Sequence, residues 1–527
     1  MVDRTPMLRS AVHWQEVDEP LQVVHRHVEL PIAYHDWRGL SERDREQELA
    51  QITPQERAGV NLNVLPLLRL VIARLPDDEV LLVWTVHHVL LDGWSAALVF
   101  EEVCEQYAAI VADRAPQLVT RRTFRDYLQW LEEQDRDKAE QHWRAVLSGF
   151  DSATPLPYDR PPRQAHRSES TESVEVQLGA QDTTRLHQVA GRNGLTVNTI
   201  VQGAWALLLS RYSGQRDVVF GTTVSGRPAE LAGVESMIGM FVNTVPTRVQ
   251  IDDAQNLVPW LQELQAAQID SRRFDFVSLA QVQTYCELPA ATTLFESMVV
   301  FENYPFDSAS VAQAGLRVPE VRTVETTNFP LSLQASLDDR LGLALAYDPQ
   351  LFDAPTVEAM TQRLQLLLAR LAADPDQRVG ELSLLTETER RQLLVQWNDT
   401  ERQVPPVLWS ELFAAQVART PDAVAVISSH GAQLSYRELS ERANRLARLL
   451  IRRGVGPEQF VGLALPRSVD LIVALVAVWR AGAAYVPLDP NYPPARIALL
   501  CSDADPVVVL TADETAEYLP VDVVSLV

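Results

Sequence analysis

The chain has 527 residues, 46% hydrophobic and 22% charged, which suits a protein of two to four domains with cores of their own. Its formal net charge of -24 argues against nucleic acid or an anionic membrane as a partner. Three scattered cysteines, Cys104, Cys286 and Cys501, match no disulfide or zinc spacing, and no basic run followed by an apolar one opens the chain, so a cytoplasmic protein without a signal peptide is expected.

Residues 67–75 and 79–86, separated by Pro76-Asp77-Asp78, read as paired strands, the second rich in β-branched, aromatic and apolar residues. It runs out into His87-His88-Val89-Leu90-Leu91-Asp92-Gly93-Trp94-Ser95, which gathers two imidazoles, a carboxylate and a glycine where a core strand gives way to a loop. Successive side chains on a strand point to opposite faces, so His87 and His88 cannot share one task. A single strand histidine is most often a satisfied core residue; a pair followed by Asp92 and Gly93 is a rarer arrangement. Zinc lacks ligands, because no cysteine is near and Asp92 is one carboxylate. Ser95 is placed to cap a helix in which Ala96, Val99, Phe100, Val103 and Tyr107 form a core-facing stripe. Trp94 and Trp130 read as packing residues.

Pro155, Pro157, Pro161 and Pro162 then interrupt the pattern, and residues 151–170 read as a connector. Beyond it, strands are expected near 174–178, 217–223, 245–251, 297–301, 331–337 and 341–347, with helices at 196–212 and 355–371. Periodicity alone gives an α/β fold in two halves. Residues 376–406 form a polar linker in which Thr386 and Glu389 are spaced as a capping box. From 407 onward, strands at 423–426, 460–465 and 484–488 alternate with helices at 436–453 and 468–481, the pattern of a doubly wound parallel sheet. The longest apolar stretch, 471–479, is far too short to span a bilayer.

The stretch from His87 to Ser95 resembles the HHxxxDG signature of the condensation domains of non-ribosomal peptide synthetases, with the Trp-Ser continuation common there. Neighbouring segments resemble other motifs of that family in the same order. They are Arg4 to Ser10, Phe124 to Trp130, Ile238 to Arg248 (which matches almost residue for residue), Phe295 to Pro305 and Asn328 to Leu333. Residues 385–400 are similar to the linker that joins condensation to adenylation domains. Leu434 to Leu439 and Trp479 to Asp489 resemble the first two adenylation motifs.

The resemblance implies an α/β fold of two chloramphenicol-acetyltransferase-like lobes, followed by part of a doubly wound adenylate-forming subdomain. The N-lobe would be 1–150, the connector 151–170, the C-lobe 171–375, the linker 376–406 and the adenylation portion 407–527. It implies amide formation between two thioesters, an acyl, aminoacyl or peptidyl donor and an aminoacyl acceptor. Both would be carried on the phosphopantetheine arms of upstream and downstream carrier domains that enter a shared tunnel. In this scheme His88 faces the tunnel as base or positioning group and His87 is the inward structural member; Asp92 could orient an imidazole, but the family pattern instead pairs it with Arg9 to hold the loop, with Gly93 turning the chain and Trp94 packing. Asn243 and Ser332 are candidates for the tunnel lining, Asn243 being equally suited to bracing the backbone. No metal or cofactor is expected in the condensation part. ATP and magnesium would belong only to a complete adenylation domain, and its phosphate loop and C-terminal lysine subdomain find no match here. The family's first motif is likewise unmatched, so an internal piece of a larger synthetase is expected, with its adenylation part inactive.

His87 at the first motif position, where cyclising relatives carry Asp, sets the chain apart from them. Epimerisation domains share HHxxxDG, and free-standing acyl-CoA-dependent acyltransferases lack the linker and adenylation start. A catalytically inactive carrier-docking fragment is the non-enzymatic alternative. The Leu90-to-Ser95 wording leans towards an L-configured donor.

Overall fold

The N-terminal lobe opens with Ser10–His13 (β1) antiparallel to Leu21–Val24 (β2). Ile32–Asp36 (β3) then pairs in parallel with Leu68–Arg74 (β4), itself antiparallel to Val80–Val86 (β5). Pro76–Asp78 makes the turn between the last two, with Asp77 at φ 57°. Glu42–Arg57 (α1) precedes β4, and Gly93–Val111 (α2), Phe124–Glu132 (α3) and Arg136–Val146 (α4) follow β5. These observations come from a computed structural model that describes all residues except 16, 18, 58–60, 163–171, 290–291, 303–314, 319–320, 322–326, 405, 430, 520–524 and 527. Two units are distinguishable, Met1–Gln396 and Trp397–Val527.

Helix α2 differs from its expected form in two ways. Its N-cap is Asp92, whose carboxylate accepts from Ser95 N, so Ser95 lies in the first turn instead of capping it. Of the expected stripe, only Val99 is fully buried, while Val103 and Tyr107 are 42% and 48% exposed. The buried face carries Ser95, Ala97, Val99, Glu102, Cys104 and Ala109, because Glu102 is drawn inward by Arg4 and Arg121.

The connector is not a loose tether over the residues described. Thr154 Oγ1 accepts from Val219 N at 2.8 Å, and Arg160 donates to the carbonyls of Pro349 and Gln350 at 3.1 and 3.0 Å. These bonds lay residues 154–160 along the C-lobe; residues 163–170 lie outside the described set.

The C-lobe is built on a six-stranded sheet of Glu172–Gln177 (β6), Asp217–Val224 (β7), Asn243–Gln250 (β8), Ser297–Glu302 (β9), Leu331–Leu337 (β10) and Leu341–Tyr347 (β11). Their order is β6-β11-β10-β9-β7-β8. β9 runs parallel to both its neighbours, and the other pairs are antiparallel. Ala180–Asn193 (α5), Val197–Ser213 (α6), Leu257–Arg272 (α7), Leu279–Thr284 (α8) and Ala354–Ala373 (α9) complete the lobe. Helix α6 is apolar nearly all round because it is enclosed: Ile200, Val201, Ala204, Trp205 and Leu208 are each at most 1% exposed. Burying such large side chains contributes roughly 1.5–3 kcal/mol apiece. Gly203 lets α7 approach, since a Cβ there would lie 2.4 Å from Leu261 Cδ2.

The first part of the linker belongs to this unit. Thr386 caps Glu387–Arg391 (α10) with the reciprocal Glu389 bond its spacing implies, and Glu389 also pairs with Arg363 of α9 at 3.2 Å.

In the second unit, Trp409–Arg419 (α11), Tyr436–Arg452 (α12), Val469–Arg480 (α13) and Pro494–Ala504 (α14) accompany a four-stranded parallel sheet. Val424–Ile427 (β12) departs from expectation, forming an antiparallel hairpin with Gln433–Ser435 (β13) outside that sheet. The sheet itself contains Phe460–Ala464 (β14), Ala484–Pro487 (β15), Val508–Thr511 (β16) and Ser525–Leu526 (β17), ordered β15-β14-β16-β17.

Candidate functional site

Strand β5 ends at Val86, so the two histidines leave the sheet before they diverge. The His87 amide donates to Leu67 O at 2.9 Å, and its carbonyl accepts from Leu90 N at 3.0 Å, closing a turn over residues 88–90. Val89 N donates to His87 Nδ1 at 3.1 Å, which leaves the ring proton of the neutral form on Nε2. His87 is half-buried, whereas His88, at the turn, is exposed. Turn geometry, not strand alternation, separates the two rings.

Burial, and then the neighbouring His88, hold His87 below its ordinary value. The folded state therefore sheds this proton more readily than the unfolded chain. Stability from His87 is complete above an unfolded pKa near 6.5 and is lost as pH falls below it. The unfolding free-energy gap between wild type and His87→Gln is expected to narrow between about pH 7.5 and 5; a pH-independent gap in urea titrations would contradict this.

Asp92 is fully buried and takes three kinds of donor. Ser95 N lies 2.7 Å from Oδ1, Phe241 N lies 3.1 Å from Oδ2, and Arg227 Nη2 lies 3.1 and 3.3 Å from the two oxygens. The expected partner, Arg9, is elsewhere: it donates to the carbonyls of Val2 at 3.2 Å, His25, and Arg26 at 3.1 Å. Arg9 closes the short Pro6–Arg9 turn ahead of β1, and its guanidinium serves the chain leaving β2. Arg227 was missed in the sequence, although Ser225-Gly226-Arg227-Pro228 stands just before the matched segment at Ile238.

Arg227 does more than neutralise Asp92. Nη1 donates to Val234 O and Met237 O at 2.7 and 3.0 Å, and Nη2 donates to Ser95 Oγ at 2.8 Å. Its guanidinium lies 4.0 Å from the Phe241 ring centroid and 5.5 Å from that of Trp94. Burial pulls Arg227 below its ordinary value and Asp92 pulls it back. Ser95 Oγ donates to Gly239 O at 2.8 Å, and Trp94 Nε1 donates to Glu235 O at 2.9 Å. The start of α2 is thus fastened to the C-lobe loop 225–242 four residues after His88.

The glycines here play unlike parts. Gly93 is the first residue of α2 and has no positive φ, so it does not turn the chain as expected. Gly226, at φ +60°, does: a Cβ there would lie 1.8 Å from Phe241 O. Gly226→Ala is expected to cost about 1–3 kcal/mol or more and to loosen Arg227, read as a lower urea midpoint; an unchanged midpoint would contradict the geometry.

The two lining candidates fare differently. Asn243 Nδ2 donates to Asp275 O at 2.6 Å and Val277 O at 2.7 Å, and Oδ1 accepts from Thr244 N at 2.9 Å, so its amide braces backbone. Ser332 is 0% exposed and bonded to Thr327 Oγ1 at 2.8 Å, which removes it from any open lining, because β10 is a central strand. Trp130 stacks on Tyr127, and Phe241 packs against Tyr127 at 4.6 Å. Residues 303–305 of the expected Phe295-to-Pro305 segment lie outside the described residues.

Among the described residues, no three His, Cys, Asp or Glu side chains are grouped to hold a metal ion, and no helix is long and apolar enough to cross a membrane.

Comparison with known proteins gives the family. Residues 1–394 match the family model of the condensation domain, and residues 413–525 match that of the AMP-binding enzymes. A linear gramicidin synthase of Brevibacillus parabrevis is 40% identical over 524 residues, covering 99% of this chain and 10% of the relative. Chondramide synthase cmdD of Chondromyces crocatus is 37% identical over 553 residues, covering 98% of this chain and 14% of the relative. The chain thus spans about a tenth of the length of such relatives. Among solved structures, the non-ribosomal peptide synthetase FmoA3 with AMPPNP bound superposes with a TM-score of 0.79 at 25% identity, over 100% of this chain and 55% of that one. The first condensation domain of the calcium-dependent antibiotic synthetase, with a substrate analogue, shares the fold over 73% of this chain and 88% of that one, with a TM-score of 0.60 at 22% identity.

Proposed function

The chain belongs to the condensation-domain family through residues 1–394, and we propose that it joins two carrier-bound thioesters through an amide bond in non-ribosomal peptide synthesis. The donor is an acyl, aminoacyl or peptidyl thioester and the acceptor an aminoacyl thioester, each on the phosphopantetheine arm of a carrier domain. The carriers and the rest of a synthetase, in the cytoplasm, are its partners.

One observation carries the reading. An exposed imidazole, His88, stands beside a desolvated neutral one, His87, at the head of a helix whose start is fastened to the second lobe. A thioester is already activated and its thiolate leaves readily, so no covalent enzyme nucleophile is required. Bringing two tethered chains together can supply up to roughly 7–11 kcal/mol in ideal geometry. The attacking amine must also lose a proton, and a positioned base contributes about 10²–10⁴-fold. His88 is assigned as that base, or as the group that orients the amine. His87 shapes the turn that presents it, and Asp92 with Arg227 holds the turn against the C-lobe. Residues 413–525 supply the beginning of an AMP-binding fold; ATP and magnesium chemistry is assigned to a complete adenylation domain.

Mixing the chain with two separately loaded carrier domains is expected to give a carrier-bound dipeptidyl thioester. Product no faster than in the same mixture without the chain would refute the assignment.

A further inference from the structure

Gly239 is the point where α3, the start of α2 and the His88 turn converge. Its φ is not positive, so backbone conformation does not demand glycine there. Packing does. A Cβ at Gly239 would lie 2.1 Å from Cδ2 of Phe124, the first residue of α3, and 2.8 Å from its Cγ. The Phe124 ring is itself held, edge-on to Phe241 with centroids 5.0 Å apart and tilted against Tyr127 at 5.4 Å.

The polar atoms of Gly239 serve the start of α2. Its carbonyl accepts from Asp92 N at 3.2 Å and from Ser95 Oγ at 2.8 Å, and its amide donates to Ser95 Oγ at 3.0 Å. Beside it, Ile238 shares one buried cluster with Leu90 and Leu91, whereas Met237 and Phe241 share another with Tyr127, against which Phe124 packs. Residues 237–241 are therefore a spacer, one side against α3 and the other against residues 90–95. A close-packed interior transmits a displacement instead of absorbing it, so the seat of one ring bears on the turn that carries His88.

We propose that Phe124 and Gly239 are positioning residues for His88. The ring, seated where a side chain at 239 would begin, sets the 237–241 spacer and through it the turn that presents the imidazole. Their effect on turnover rests on the reading of the chain as an amide-forming condensation domain; their hold on the turn does not.

The test follows the histidine ring nitrogens of the whole chain by NMR, with His87 and His88 identified by His87→Gln and His88→Ala. Gly239→Ala is expected to shift both rings, His87 Nδ1 most, because Val89 N donates to it at 3.1 Å, and to leave the other histidines in place. It is also expected to lower kcat for dipeptidyl thioester about tenfold, the scale of misplacing a reacting group by a fraction of an ångström, with KM for the loaded acceptor carrier unchanged. Adding Phe124→Ala makes room for the new Cβ and is expected to return the resonances and kcat towards wild type; a mere loss of packing would be deepened by this second truncation. Unshifted rings in folded Gly239→Ala, or a double variant shifted further, overturn the coupling and leave the role of His88 untouched. A wild type without turnover refutes the condensation reading, and the resonances still decide the coupling. Should an alanine variant not fold, Phe124→Leu is expected to move the same two rings by lowering the seat, and unmoved rings overturn the proposal equally.

Discussion

Arg227→Met is expected to lower the stability of the 1–396 unit by roughly 3–5 kcal/mol, the range for removing one member of a buried ion pair. The cost arises because Asp92 stays behind at 1% exposure with its charge uncompensated. Met237 O loses its side-chain donor in the same step, and Val234 O keeps only the Met237 amide, a further cost. Lysine is a poor substitute. A single ammonium cannot reach Asp92, Ser95 and the two carbonyls from one planar fork, so Arg227→Lys is expected to recover only part of the loss. Combining Asp92→Leu with Arg227→Met removes both charges and is expected to cost less than the sum of the singles. Urea titrations of the four proteins decide it: additive losses, or a wild-type midpoint for Arg227→Met, would show that the pair does not hold the lobes. Because Asp92 lies two residues after the turn bearing His88, loss of the proposed condensation activity should accompany lost stability in these variants.

Much of this architecture is written locally. The β4–β5 pair, the β10–β11 hairpin, helices α6 and α9, and the Thr386 capping box follow from alternation, apolar runs and cap spacing, and they form within a residue or two of where those signals place them. What the sequence leaves obscure depends on partners far along the chain. Strand β12 carries an ordinary strand pattern, but its neighbour is decided by the tight turn to β13, so it stays out of the parallel sheet. Val103 and Tyr107 have core spacing, yet Glu102 beside them is the buried residue, held by two arginines that lie 98 residues before and 19 residues after it. That rotation of α2 is invisible to a hydrophobic count.

The site shows the same division. His87, His88 and Asp92 are adjacent in sequence, and their chemistry can be read there. The arginine that completes Asp92 lies 135 positions away, and nothing in its spacing distinguishes it from Arg9. Asn243 was recognisable as a candidate from its segment, but not what its amide would hold. Ser332 was named from a matched segment as well, and burial in a central strand withdraws it.

The second large effect concerns His88 alone. His88 is exposed at its turn, so replacing it with alanine removes an imidazole without opening a cavity or stranding a buried group, and the melting temperature should stay within about a degree of wild type. Loss of a positioned base, by contrast, lowers turnover by about 10²–10⁴-fold. The deciding measurement is single-turnover formation of dipeptidyl thioester from two loaded carrier domains, with wild type and His88→Ala compared at matched fold and concentration. Product from wild type alone, with the variant reduced to the rate of uncatalysed aminolysis, is the predicted result; equal rates from the two proteins would contradict it.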